Sequence, residues 1–174
     1  MISMSFVFWI FVSLAAVNGA LRGWAKELLV TFSVILGLFI ITVLETFVVF
    51  VYPFLKAGGP TEFWSRVALI LLLAFFGYQT PNLRMLAKGA AREKLQDSLL
   101  GIVLGGVNGY LIVGSIWSFL NKPEIYYPFA GVMIPPTDPG SQQILSLMPP
   151  LLLSSPGIYF AVAIAFTFVV IVFV

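Results

Sequence analysis

Apolar residues run through this chain in blocks of about twenty, the length a helix needs to span a bilayer, and polar residues collect between the blocks. Ile2 to Leu21 is apolar apart from Ser3, Ser5, Ser13 and Asn18, and Arg22, Lys26 and Glu27 follow it. A secretory signal peptide carries its positive charge ahead of the apolar run. The order here is the reverse, so the segment reads as a retained span whose N-terminus has crossed the membrane. Leu28 to Tyr52 is a second run whose one acid is Glu45, and Pro53 is expected to end it.

Lys56 to Pro60 has the glycine and proline of a turn. Thr61 then offers a cap, and Trp64 an interface anchor, for a third span from Trp64 to Thr80 that Arg66 opens and Pro81 closes. From Asn82 to Ser98, apolar positions 83, 86, 87, 90 and 91 share one helical face, opposite Arg84, Lys88, Arg92 and Lys94. Such a helix lies in the headgroup plane. Leu99 to Leu120 is a glycine-rich fourth span. Asn121 to Pro150 holds seven of the eleven prolines and cannot be one regular element. Leu151 to Val174 is the last apolar run, its helix expected to begin near Ser154-Ser155-Pro156. It stops without a basic anchor, so either its carboxylate sits at the interface or the native chain continues. The fold expected is all-α and polytopic: five transmembrane helices and one interfacial amphipathic helix.

Composition agrees. Of 174 residues 60% are hydrophobic and 9% charged, with mean hydropathy +1.06, whereas a soluble domain carries about 25% charged residues. The net charge of +2 reflects loop lysines and arginines, so a pI near 9.0 speaks of topology and gives no nucleic-acid signal. Arg22, Lys26, Arg84, Lys88, Arg92 and Lys94 fall on one side of the membrane and Lys56, Arg66 and Lys122 on the other. The richer side is expected to be cytoplasmic. That puts the N-terminus and the proline-rich connection outside and the C-terminus inside.

With neither Cys nor His, disulfides, thiolate or imidazole metal sites and His-ligated haem are excluded. No Walker loop, dinucleotide fingerprint or nucleophile elbow is present, and the chain is not expected to be an enzyme or to hold a cofactor covalently or through metal ligands. Its aromatic and aliphatic faces suit contacts with lipid, quinone or carotenoid.

Gly101, Gly105 and Gly109 recur at i, i+4 and i+8, and Gly19 and Gly23 repeat the spacing at the end of the first span. Membrane helices associate by close backbone approach at such strips; the neighbour is either another helix of this chain or a partner. Asn18 and Asn108 are the polar residues expected within helix contacts. Glu45 reads as the only acid inside a span, roughly 10 Å below the hydrocarbon edge when counted back from Tyr52. It either pairs with Arg66, which opens the next span on the same side, or serves as a proton or ion site. Arg84, Lys88, Arg92 and Lys94 either hold anionic headgroups or merely set topology.

Two stretches resemble the colicin V production protein family. Leu21-Arg22-Gly23-Trp24-Ala25-Lys26-Glu27-Leu28 is similar to its basic junction between the first two helices, with Arg22, Gly23, Lys26 and Glu27 as the motif residues. Gln96 to Val113 resembles its D-x-x-L-G-x-x-x-G-x-x-x-G-x-L-I-V segment, with Asp97, Leu100, Gly101, Gly105, Gly109, Leu111, Ile112 and Val113 in register. The resemblance covers about residues 1–120 as a four-helix membrane region, leaving 121–150 as a proline-rich extracytoplasmic loop and 151–174 as an added transmembrane helix. It implies a bacterial cytoplasmic-membrane protein tied to toxin export or envelope maintenance. The first helix lacks the family's usual acid, Asn108 stands where an arginine is usual, and the loop and last helix are additions. These departures favour a different expectation first: a non-catalytic accessory or scaffold subunit packed against other membrane proteins, as in respiratory or photosynthetic electron-transfer complexes.

Overall fold

The computed structural model describes residues 2–79, 94–121, 133–134 and 139–173. The fold is all-α: α1 (Met4–Arg22), α2 (Trp24–Phe47), α3 (Tyr52–Leu55), α4 (Gly59–Tyr78), α5 (Lys94–Leu120), α6 (Pro139–Ser146), α7 (Pro149–Leu152) and α8 (Gly157–Phe173). Helices α1, α2, α4 and α5 are each long and apolar enough to cross a membrane. In hydrocarbon every backbone N–H and C=O must be satisfied within the segment, which makes the helix the only open-ended solution for such runs. The fifth apolar run forms the 17-residue helix α8, at the short end of the range that spans a bilayer.

The long helices form a row in which α5 packs on α1 and α2, and α2 packs in turn on α4, with α8 laid against α2. The buried positions of α2 are Glu27, Val30, Thr31, Val34, Gly37, Leu38 and Ile41, a stripe at helical spacing that the uniformly apolar sequence conceals. On α4, Gly77 allows close approach, since a methyl group there would stand 3.0 Å from the Cα of Val30. Beyond α5, Phe8 of α1 rests on the buried Trp117 with ring centroids 5.5 Å apart. A two-residue parallel bridge, β1 (Ile2–Ser3) with β2 (Met133–Ile134), sets the start of the chain beside the proline-rich segment.

Several boundaries differ from the sequence expectation. Helix α2 starts at Trp24 rather than Leu28, so Glu27 lies inside it. It ends at Phe47 rather than Tyr52, and Pro53 sits within α3 instead of terminating α2. A proline ring in a helix collides with the carbonyl four residues earlier, here Val49, and the chain leaves the α-helix for a 3-10 turn at Val49–Val51. Glu45 is therefore in the last turn of α2, nearer its end than the count from Tyr52 allowed. The third span opens at Gly59, capped by Gly58 at φ 74 and not by Thr61. Its first turns hold Glu62, so Glu45 is not the only acid within the spans. The described part of helix α5 begins at Lys94, ahead of the expected Leu99, so residues 94–98 are continuous with the span. The rest of the expected interfacial helix, with Arg84, Lys88 and Arg92, lies outside the described residues. Pro156 stands just before α8, and the proline-rich connection contributes α6 and α7.

Candidate functional site: two ion-paired clusters on the second helix

Helix α2 follows α1 after a single residue. Gly23 makes the reversal at φ +84, in the left-handed region that only glycine enters freely. The turn leaves the first N–H groups of α2 without carbonyl partners. Asp97 supplies one from another helix, its Oδ1 accepting the Trp24 N–H at 3.1 Å. Next to it, Ser98 Oγ donates to the Ala20 carbonyl at 3.1 Å, so adjacent residues of α5 hold the end of α1 and the start of α2 together. A side chain on Gly23 would collide with the Asp97 carboxylate at 2.7 Å.

From this junction the glycine strip of α5 runs along α1. A methyl on Gly19 would strike the Gly101 carbonyl and lie 2.8 Å from the Gly105 Cα; one on Gly109 would lie 2.9 Å from the Val12 Cα. Gly19, Gly101, Gly105 and Gly109 thus face each other across one intramolecular contact, and α1 fills the strip.

The first cluster lies one turn into α2. Glu27 is fully buried. Arg22 Nη1 donates to its Oε1 at 2.6 Å and Asn108 Nδ2 to its Oε2 at 2.7 Å. The same Asn108 nitrogen reaches the Glu27 carbonyl at 2.9 Å, and the Thr31 hydroxyl donates to Asn108 Oδ1 at 2.7 Å. Arg22 also donates to the Tyr78 carbonyl at 3.1 Å and stacks 4.3 Å from the centroid of its ring. A buried charge is tolerated only when paired and hydrogen-bonded, and here both carboxylate oxygens are engaged. The network joins α1, α2, α4 and α5.

The second cluster is at the other end of α2. Arg66 Nη2 lies 2.9 Å from Glu45 Oε1 and 2.8 Å from Glu62 Oε1. It also donates to the Leu55 carbonyl at 3.3 Å. Glu62 turns its other oxygen to the Gly58 N–H at 3.0 Å, and the Arg66 guanidinium stands 5.4 Å from the Phe119 ring centroid. Glu27 and Glu45 are eighteen residues apart, about 27 Å along a helix and close to the roughly 30 Å of bilayer hydrocarbon.

The structure brings Glu45 together with Arg66, and Arg22, Gly23, Glu27 and Asp97 together at the α1–α2 junction. Lys26 and Lys94 are exposed near the same junction and take no part in either cluster. The sequence reading missed Glu27, Thr31, Glu62 and Tyr78 as cluster members. The signal was faint: a Glu five residues after an Arg, at the edge of an apolar run, with a polar Asn in a distant span. No protein-family model, curated protein or solved structure matches the chain.

Proposed function

We propose that the chain is a non-catalytic integral membrane subunit that packs against other membrane proteins, in a respiratory or photosynthetic electron-transfer complex. One observation carries this reading. Between α2, α4 and the lightly attached α8 runs an apolar furrow of about 480 Å3, bordered by Phe32, Leu36, Phe76, Val162 and Phe166. The glycine strip and both ion-paired clusters are used inside the chain, and this furrow is one apolar face among the described residues that they leave available to a neighbour. Lipid, quinone or carotenoid can border the same face. A photo-crosslinking residue at Phe76, compared with one at Phe11 on the outer face of α1, tests it in the native membrane. Discrete protein adducts from position 76 are the expected result, and lipid adducts alone at both positions count against it.

The bacterial cytoplasmic membrane, with the N-terminus outside, is the location that goes with this reading. Arg22, Lys26 and Lys94 lie at the junction end of the bundle, whereas Lys56 and Arg66 lie at the other, and the basic-rich end belongs in the cytoplasm. With no native Cys, single introduced cysteines at positions 26 and 57 report sidedness directly.

A second reading, a factor for toxin export or envelope maintenance, has one observation in its favour. The two stretches similar to the colicin V production protein family meet at the contact between Asp97 and Gly23, so the residues of the resemblance form one unit. This reading expects a deletion strain to lose export or detergent resistance while electron-transfer rates stay unchanged.

A further inference from the structure

The furrow between α2, α4 and α8 is bordered on α2 by residues from Leu29 to Leu36, a length of about 10 Å. Its volume of about 480 Å3 gives a mean cross-section of about 50 Å2 over that length, whereas a helix with its side chains, about 10 Å across, needs about 80 Å2. A transmembrane helix therefore does not fit inside the furrow, and a hydrocarbon chain does. No charged residue borders it among the described residues, and the Ser33 hydroxyl on its wall already donates to the Leu29 carbonyl at 2.9 Å.

The end of the furrow is different in character. Lys26 stands three residues before Leu29 and seven before Ser33, on the same face of α2. Helical side chains lean toward the N-terminus, which carries the ammonium past the apolar wall. Helix α2 has 24 residues, about 36 Å of helix against about 30 Å of bilayer hydrocarbon, so its first turn reaches the headgroups, where a lysine keeps its charge in water. The acids at this end are already engaged, Glu27 by Arg22 and Asn108 and Asp97 by the Trp24 N–H. Lys26 is exposed and makes no ion pair among the described residues.

We infer that the furrow seats an acyl chain of an anionic phospholipid, with Lys26 at its headgroup. The apolar walls select hydrocarbon, and the uncompensated cation at their end selects the sign of the headgroup charge. The inference is independent of the subunit reading: a partner helix would meet the exposed rings of Phe76 and Phe166 at the rim, and the isolated chain is enough to test what lies beneath them.

The test uses the full chain, purified, stripped of lipid and titrated separately with phosphatidylglycerol and with phosphatidylcholine of the same acyl chains. Native mass spectrometry counts the lipid retained, and thermal unfolding follows the stabilisation. Phosphatidylglycerol should be bound about fivefold more tightly, which is what one basic residue near the surface contributes. Lys26→Gln should abolish that preference and Lys26→Arg should keep it, whereas Lys56→Gln, at the other end of the bundle, should leave it unchanged. Leu36→Trp puts a ring into the furrow from a position already 41% exposed and should weaken binding of both lipids. In the parent chain, the extra stabilisation by phosphatidylglycerol should fade as salt approaches about 1 M, where exposed charges are screened within about 3 Å. Equal affinity for the two lipids, a preference that survives Lys26→Gln or high salt, or binding untouched by Leu36→Trp overturns the inference.

Discussion

The carboxylate of Asp97 caps the N-terminus of α2 from a different helix, accepting the Trp24 N–H at 3.1 Å, and it occupies the space that any side chain on Gly23 would need. Replacing Asp97 with Ala should cost about 1 kcal/mol, as losses of helix caps do. Asn, which keeps an acceptor oxygen, should recover most of it. Gly23→Leu should be worse than either, because it adds a collision to an unfavourable φ. Unfolding midpoints of the purified chain in one detergent give the order directly.

Arg22 and Glu27 should not be equivalent. Arg22 is 20% exposed and keeps the Tyr78 ring, whereas the Glu27 side chain is 1% exposed. Removing the arginine strands a buried carboxylate, a loss of about 3 to 5 kcal/mol. Glu27→Gln leaves a partly solvated arginine and keeps an acceptor for Asn108, so it should cost less, and the Arg22→Gln/Glu27→Gln pair should be milder than Arg22→Gln alone. A double-mutant cycle on thermal stability measures this.

Neighbouring glycines of α5 should respond differently. A methyl at Gly105 would meet the Ala15 carbonyl and stand 2.9 Å from the Gly19 Cα, whereas one at Gly106 would touch only the Ala16 Cβ at 3.7 Å. Gly105→Ala should therefore destabilise by about 1 to 3 kcal/mol through overpacking, and Gly106→Ala should be within about 0.5 kcal/mol of the parent. Equal effects in the two variants would show that α1 does not rest on this strip.

At the other end, Arg66 serves two carboxylates. Glu45→Gln leaves it paired with Glu62, so assembly should survive, whereas Arg66→Gln takes the guanidinium from both carboxylates and should lower yield and stability more. The Glu45→Gln/Arg66→Gln pair should fall between them, because Glu62 still lacks its cation. A Glu45→Gln protein that assembles normally but has lost a proton or ion flux would show that Glu45 acts in transport.

The elements were legible because spanning a bilayer forces long apolar helices. Their contacts were legible only where spacing is enough. The interval of four between Gly101, Gly105 and Gly109 announces a close neighbour without naming α1, and Glu45 and Arg66 can be paired because they flank one short connection. Glu27 was hidden at the edge of its run, since hydropathy sees where an acid stands in sequence and not which distant Arg and Asn fold onto it. Asp97 capping Trp24 joins residues seventy-three positions apart, beyond any local capping pattern. A proline at 53 disfavours a helical carbonyl four residues back, at Val49, so reading Pro53 itself as the break places the end of α2 too late, and the helix stops two residues earlier still, at Phe47.

Native mass spectrometry after extraction from the membrane in a mild detergent bears most directly on the proposal that this chain is a subunit held by neighbours. The 19.1 kDa chain should be recovered in a larger particle with other integral membrane proteins, and removing an exposed ring from the furrow by Phe76→Ala should release it while the chain remains folded. Recovery of the parent chain only as a free, stable monomer would contradict it.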